Sequence, residues 1–162
     1  INFNNENPEK VIFDNQHRLV EYLQHIWNKI YCSKDKQFPK QLKLIFIGWR
    51  KILESSCKDE IEREKIAAHC DVIVSGCIFL RLLCPAILSP HLFGLVSHFS
   101  EKTFVQRTLT LIAKSLQSLA NFSQFGDKEH FMIFLNKCFE EEIPRMHEFL
   151  RYISTEPTDD IE

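Results

Sequence analysis

The chain has 162 residues, 20 of them basic and 22 acidic, for a formal net charge of -2, and this length suits one domain. With 44% hydrophobic and 26% charged residues it can bury a sizeable core, which excludes a disordered tail. Near-balanced charge without a basic tract excludes the electrostatic footprint of a nucleic-acid binder and a polybasic membrane patch, and leaves a protein as the expected partner.

Helical periodicity runs almost throughout, punctuated by only 4 Gly and 6 Pro. After a polar lead-in from Asn2 to Lys10, Asp14 or Asn15 can cap a first helix with the apolar stripe Leu19, Leu23, Ile26, Trp27 and Ile30, ending near Ser33. Pro39 sits where a first-turn proline belongs, and Leu42, Ile45, Phe46, Trp49, Ile52 and Leu53 follow at helical steps. A charged joint from Lys58 to Lys65 leads into a third helix, apolar nearly all round from Val72 to Leu83, which predicts a central buried helix stopped by Pro85 and Pro90. Ala86 to Phe99 reads as a compact turn with a short helical piece. Thr103 to Asn121 forms a fourth helix, and Gly126 marks its exit. Asp127 can cap a fifth helix through Phe139, and Pro144 can open a sixth through Tyr152. The expected class is all-α, with residues 1–155 as the helical unit and 156–162 as an acidic tail.

The chain opens at Ile1 without Met or a signal-like segment, so it is expected to be part of something longer. The apolar run from Val72 to Leu88 is broken by Arg81 and Pro85 and falls short of the about 20 residues of a membrane helix. No direct membrane insertion is expected. Of the six Cys, residues 70, 77 and 84 are seven apart, which on a helix is about 10 Å per step and beyond the roughly 7 Å reach of a disulfide. With no C-x-x-C pair and no His pair beside a Cys, no metal site is expected, and the thiols read as small core residues. The seven His form no nucleophile or metal constellation, no Gly-rich phosphate loop exists, and Glu140 to Glu142 read as a helix end.

Two features resist an ordinary bundle. Arg81 stands alone in the apolar run, with Cys77, Ile78, Cys84 and Pro85 as its helical neighbours, none able to pair with a guanidinium. It either snorkels to the surface or donates to carbonyls or carboxylates of another segment, as a structural tie or a functional one. On the fourth helix Arg107, Thr110, Lys114, Gln117 and Asn121 recur at steps of three and four, and no Asp or Glu occurs from Lys102 to Gly126. This stripe is either a solvated face that lacks carboxylates or a docking face for an acidic or phosphate-bearing partner. Lys128 and Glu129 could extend it.

The run Phe79-Leu80-Arg81-Leu82-Leu83-Cys84-Pro85-Ala86-Ile87, with Leu88-Ser89-Pro90 and Leu92-Phe93-Gly94 after it, resembles the F-L-R-x-x-x-P-A-I signature of Ras GTPase-activating proteins. Arg107 to Asn121, then Phe125-Gly126-Asp127-Lys128-Glu129, resembles that family's second block. Phe38-Pro39, Leu42 and Trp49 are similar to the SynGAP-type subgroup. The resemblance implies an all-helical domain, N-terminally truncated here, that docks on the switch regions of a GTP-bound Ras-family GTPase and speeds hydrolysis. The GTPase performs the chemistry and holds GTP and Mg, so the chain needs no cofactor of its own. Arg81 is implied to support the loop carrying the arginine finger, and Leu80 to face the GTPase's catalytic Gln region. Lys114, Gln117, Asn121, Lys128 and Glu129 match positions in or beside the Ras-binding groove, and Arg107 and Pro85 structural positions at its edge, Arg107 in an ion pair. A cytoplasmic setting with recruitment to the inner membrane surface by other domains is implied.

One departure counts against catalysis by this chain. The family's finger loop lies N-terminal to the F-L-R block, and the chain is expected to begin after it. The seven Arg (18, 50, 63, 81, 107, 145 and 151) all fall on predicted helices or their shoulders. The chain alone is therefore expected to be weakly active or inactive; a non-catalytic GTPase-binding scaffold or a helical interaction module is the alternative.

Overall fold

The computed structural model describes residues 7–98 and 102–156, and the acidic tail beyond 156 lies outside them. Among the described residues every regular element is helical, in agreement with the all-α expectation. Helix α1 spans Pro8–Cys32 and α2 spans Lys40–Glu54; α3, Glu60–Ser75, continues through a π-helical stretch, Gly76–Leu83, into α4, Cys84–Leu88. Helix α5 spans Thr103–Ala120, a 3-10 stretch covers Asp127–Leu135, and α6 spans Asn136–Ser154.

Helix α1 starts earlier than Asp14. The Asn7 side chain accepts a bond from the Glu9 N–H at 3.0 Å, and Pro8 takes the first helical position, where its missing N–H costs nothing. The charged joint likewise becomes helix. Asp59 caps α3 by accepting from the Glu62 N–H at 2.8 Å, while the Glu62 carboxylate accepts from the Lys58 N–H at 2.7 Å.

The third helix is central but not buried all round. Cys70, Asp71, Val74, Ser75, Ile78 and Phe79 face inward, whereas Val72, Ile73 and Leu82 are exposed. Nor does Pro85 stop it. Glu60–Leu88 is one 29-residue helical run, and the widened π turn just before Pro85 absorbs a residue that brings a ring but no N–H. By length, and by a mean hydropathy of 2.0 over its most apolar 18 residues, this run could cross a membrane, yet its inward side packs into the common core, as a core helix does.

The last two predicted helices are divided differently. Gly126 precedes a 3-10 stretch, and α6 runs unbroken through Pro144. One continuous inward face, Phe139, Met146, Phe149, Leu150 and Ile153, outweighs the one backbone bond that Pro144 cannot make. Glu140 to Glu142 are thus mid-helix, and Glu142 accepts from the Trp27 indole at 2.6 Å.

An aromatic cluster sits at the centre of the core. Phe149 of α6 lies 5.8 Å from Trp27, 6.2 Å from Phe79 and 6.4 Å from Phe38, ring centre to ring centre, at steep angles that suit the ring quadrupoles. Helix α2 meets this core with Phe46, Ile47 and Arg50, while the predicted Ile45 and Ile52 are exposed. The inward side is rotated from the purely apolar one because Asp71, fully buried, draws Arg50 inside. The thiols are free; Cys70 and Cys84 are core residues as expected, but Cys32 is exposed.

Candidate functional site

Helix α5 buries Ile112, Ala113, Ser115, Leu116, Leu119 and Ala120, which turns its opposite side outward. Arg107, Thr110, Gln117 and Asn121 are exposed there and Lys114 is half-buried, so the acid-free stripe is a true surface. Lys114 is not unpaired: its ammonium lies 3.2 Å from the Glu129 carboxylate, joining α5 to the 3-10 stretch. Lys128 beside it is exposed.

Two bonds fix how the F-L-R run lies against the inward side of α5. The Ser75 hydroxyl donates to the Ala120 carbonyl at 2.6 Å, and the Cys84 thiol meets the Ala113 carbonyl at 3.5 Å. As one helix advances from 75 to 84 the other retreats from 120 to 113, so they run antiparallel. Leu80 and Arg81 therefore stand level with Lys114 and Gln117. Burial against α5 pushes the Cys84 thiol up to about 11, so it stays protonated and inert.

Arg81 is exposed, and its Nη1 donates to the Gly76 carbonyl at 3.2 Å. The carbonyl belongs to its own π turn, five residues back, rather than to another segment. No other described residue bonds the guanidinium, which leaves most of its donors at the surface. Arg107 forms no ion pair with a described residue; with Arg18 of α1 it borders a groove of about 750 Å³ floored by Leu19, Leu109 and Ile112. Pro85 is half-buried behind the stripe.

The exit of α5 is held in several ways. Ser123 N–H bonds the Ser118 carbonyl and Phe122 N–H the Leu119 carbonyl, both at 3.0 Å, a Schellman ending with Phe122 at the left-handed position, φ 55°. Glycine is the usual occupant there, and a side chain costs about 1 to 2 kcal/mol. Downstream, the Asn136 amide clamps both backbone groups of Phe125, at 2.9 and 3.0 Å. These contacts set the path from Asn121 to Lys128 and Glu129.

Behind the turn lies a polar cluster that no single stretch of sequence announces. Asp71 is fully buried, bonded by Arg50 from α2 and by His147 Nδ1 from α6 at 3.0 Å, with Arg151 at 3.7 Å. Arg50 also donates to the Ser154 hydroxyl at 2.8 Å. His147 in turn stacks on Phe122, rings 4.1 Å apart and 2° from parallel.

The sequence pattern of the family described as GTPase-activator protein for Ras-like GTPase matches residues 2–121. The chain belongs to the RasGAP family. It is 45% identical over 155 residues to the Ras GTPase-activating protein gap-2 of Caenorhabditis elegans, covering 96% of this chain and 12% of that protein. It is 46% identical over 131 residues to the Ras GTPase-activating protein raskol of Drosophila melanogaster, covering 81% and 8%. A human relative, the Ras GTPase-activating protein nGAP, is 41% identical over 128 residues, covering 79% and 10%. The chain thus spans about a tenth of the length of the curated relatives it matches. The family resemblance read in the F-L-R run and the α5 block is borne out, and the match to nGAP agrees with a SynGAP-like relationship. The RasGAP pattern ends at Asn121, so Lys128 and Glu129 lie beyond it.

Proposed function

We propose that this chain forms the docking face of a GTPase activator and grips a GTP-bound Ras-type GTPase along the α5 stripe. The observation that carries this reading is the outward row of Arg107, Thr110, Lys114, Gln117 and Asn121, without a carboxylate on α5 and level with Leu80 and Arg81. A carboxylate on this face would repel an acidic switch surface, and cations there steer association. Glu129 does not spoil the face, since Lys114 neutralises it. Lys128 and Asn121 extend the grip to the end of the helix. Arg81, anchored by one bond and otherwise open, braces the loop that carries an arginine finger. Hydrolysis, GTP and Mg belong to the partner.

The chain itself supplies no finger: its seven arginines all lie within helices, Arg18 on α1, Arg50 on α2, Arg63 on α3, Arg81 in the π stretch, Arg107 on α5, Arg145 and Arg151 on α6. That observation favours a second reading of the chain taken alone, a GTPase-binding scaffold without stimulation. Titration against a Ras-type GTPase loaded with a non-hydrolysable GTP analogue or with GDP tests the docking. Binding should prefer the GTP form, and Asn121→Ala or Lys128→Glu should each weaken it about tenfold, or about 1.4 kcal/mol; unchanged affinity in both would sink the stripe. In single-turnover hydrolysis the chain should give less than about a hundredfold stimulation. Arginine fingers contribute about 10³ to 10⁵ in kcat, a general value for which Ras and its activators are themselves the reference case.

A further inference from the structure

The stripe ends at Asn121, whose own contacts do little to hold it. Asn121 is the exposed C-cap of α5, its backbone N–H bonds the Gln117 carbonyl at 3.0 Å, and its side chain bonds no described residue. The next residue is the anomaly. Phe122 occupies the left-handed position of the Schellman ending, φ 55°, where glycine is the relaxed choice. A ring held in an unfavourable backbone conformation needs a counterweight, and it has one in the His147 ring, 4.1 Å away and 2° from parallel. His147 is not free to drift, because its Nδ1 lies 3.0 Å from the fully buried Asp71 carboxylate. Asp71 is fixed from α2 by Arg50, and the same helix that carries Asp71 holds the α5 terminus through Ser75 and the Ala120 carbonyl. The turn is therefore tied to the core by a side-chain chain, Phe122 to His147 to Asp71, that bypasses the backbone.

We propose that Phe122, stacked on His147, is a positioning residue that holds Asn121 in register for GTPase docking. The proposal rests on the docking reading above and goes beyond it by assigning a role to residues that face away from the partner. A glycine at 122 would suit the backbone better and yet release the turn, since only the ring reaches His147. Stability and docking should therefore part company.

The test uses four forms of the full-length protein, wild type, Phe122→Gly, Phe122→Tyr and Asn121→Ala, with the double variant Asn121→Ala/Phe122→Gly. Each is titrated against a Ras-type GTPase loaded with a non-hydrolysable GTP analogue. Phe122→Gly should melt within about 3 °C of wild type and bind about tenfold more weakly. Phe122→Tyr keeps a ring for the stack and should restore wild-type affinity. Asn121→Ala should weaken binding in the wild-type background but by less than about threefold once Phe122 is glycine, because an unheld Asn121 has little left to lose. If Asn121→Ala weakens binding while Phe122→Gly does not, or if the two add fully, the positioning role is overturned and the docking face stands. If Asn121→Ala is silent in both backgrounds, Asn121 makes no docking contact and the positioning role is overturned; only a silent Lys128→Glu beside it would sink the docking reading as well. A melting point lowered by well over 3 °C, with Tyr failing to restore binding, would make Phe122 a packing residue only.

Discussion

Arg50 and Arg81 show what the fold does with the same side chain in two places. Arg50 is 5% exposed and has Asp71, Ser154 and Glu54 around it, whereas Arg81 stands at the surface on one carbonyl of its own helix. The difference extends to their neighbourhoods. The cluster between α2, α3 and α6 matches each buried polar side chain with a partner inside the chain, and no buried side-chain nitrogen or oxygen among the described residues is left unsatisfied. The α5 stripe does the reverse: the side chains of Arg107, Gln117 and Asn121, like most of the nearby Arg81 guanidinium, have no hydrogen-bond or ion-pair partner among the described residues. A buried charge without a partner costs about 3 to 5 kcal/mol, so the interior closes its own accounts; exposed donors cost little to leave open and can be kept for another molecule.

The largest effect should come from breaking the closed cluster. Asp71→Ala leaves Arg50 buried without its carboxylate and should destabilise by about 3 to 5 kcal/mol, which for a chain of this size lowers the melting point by about 10 °C or more. Replacing Arg50 by Met in the same chain should recover much of that loss, since the uncompensated charge goes with it. A Asp71→Ala protein that melts like wild type would show that α2, α3 and α6 hold together by apolar packing alone, and the contrast with the stripe would dissolve.

Arg81 should behave in the opposite way. Arg81→Ala removes one surface hydrogen bond, so the melting point should stay within about 2 °C of wild type, as surface substitutions of about 0.5 kcal/mol do. In the full-length protein supplied with a finger, kcat for stimulated hydrolysis should fall about tenfold or more, with affinity for the GTP-loaded partner changing less. A melting point that falls as it does for Asp71→Ala would make Arg81 a fold residue like Arg50.

These two regions also differ in how far the sequence reveals them. The stripe depends on one helix, so residue spacing alone places Arg107, Lys114, Gln117 and Asn121 on one side, and the lack of carboxylates marks that side as unusual. Leu19, Leu23 and Trp27 of α1 were legible for the same reason. The start of α1 is legible in Asn7-Pro8-Glu9, which carries a cap, a first-turn proline and an acidic first turn, although the polar lead-in puts the expected cap at Asp14 or Asn15. The Asp71 cluster offers no such pattern. Arg50 and Asp71 are 21 residues apart and Arg50 and Ser154 are 104 apart, so only the packed fold brings them together. Burial of Arg50 rather than Ile45 or Ile52 follows from that meeting and not from the apolar stripe of α2. Phe122 is the intermediate case: a non-glycine after a helix end is visible, but its positive φ and its His147 partner are not.

A smaller pair sets the lower end of the same scale. Glu148 on α6 accepts from the Tyr31 hydroxyl and from the Lys34 ammonium, each at 2.6 Å, and ties the end of α1 to α6. The Lys34 bond first, and the Tyr31 bond after it, hold the Glu148 carboxyl below the ordinary value of 4.5. A depressed carboxylate stabilises the fold above its ordinary value, and that contribution is lost as pH falls through the folded value. The Glu148 side chain is 57% exposed, so solvent keeps the contribution below about 1 kcal/mol. Glu148→Gln should therefore lower the melting point by about 1 to 3 °C at neutral pH, with the gap closing in acid below 4.5 and narrowing with added salt. Glutamine still offers Tyr31 an acceptor, so the part of the gap that vanishes in acid belongs to the charge facing Lys34. A gap that persisted unchanged into acid would assign it instead to shape and hydrogen bonding, and would place this surface tie nearer to the Asp71 cluster than its exposure suggests.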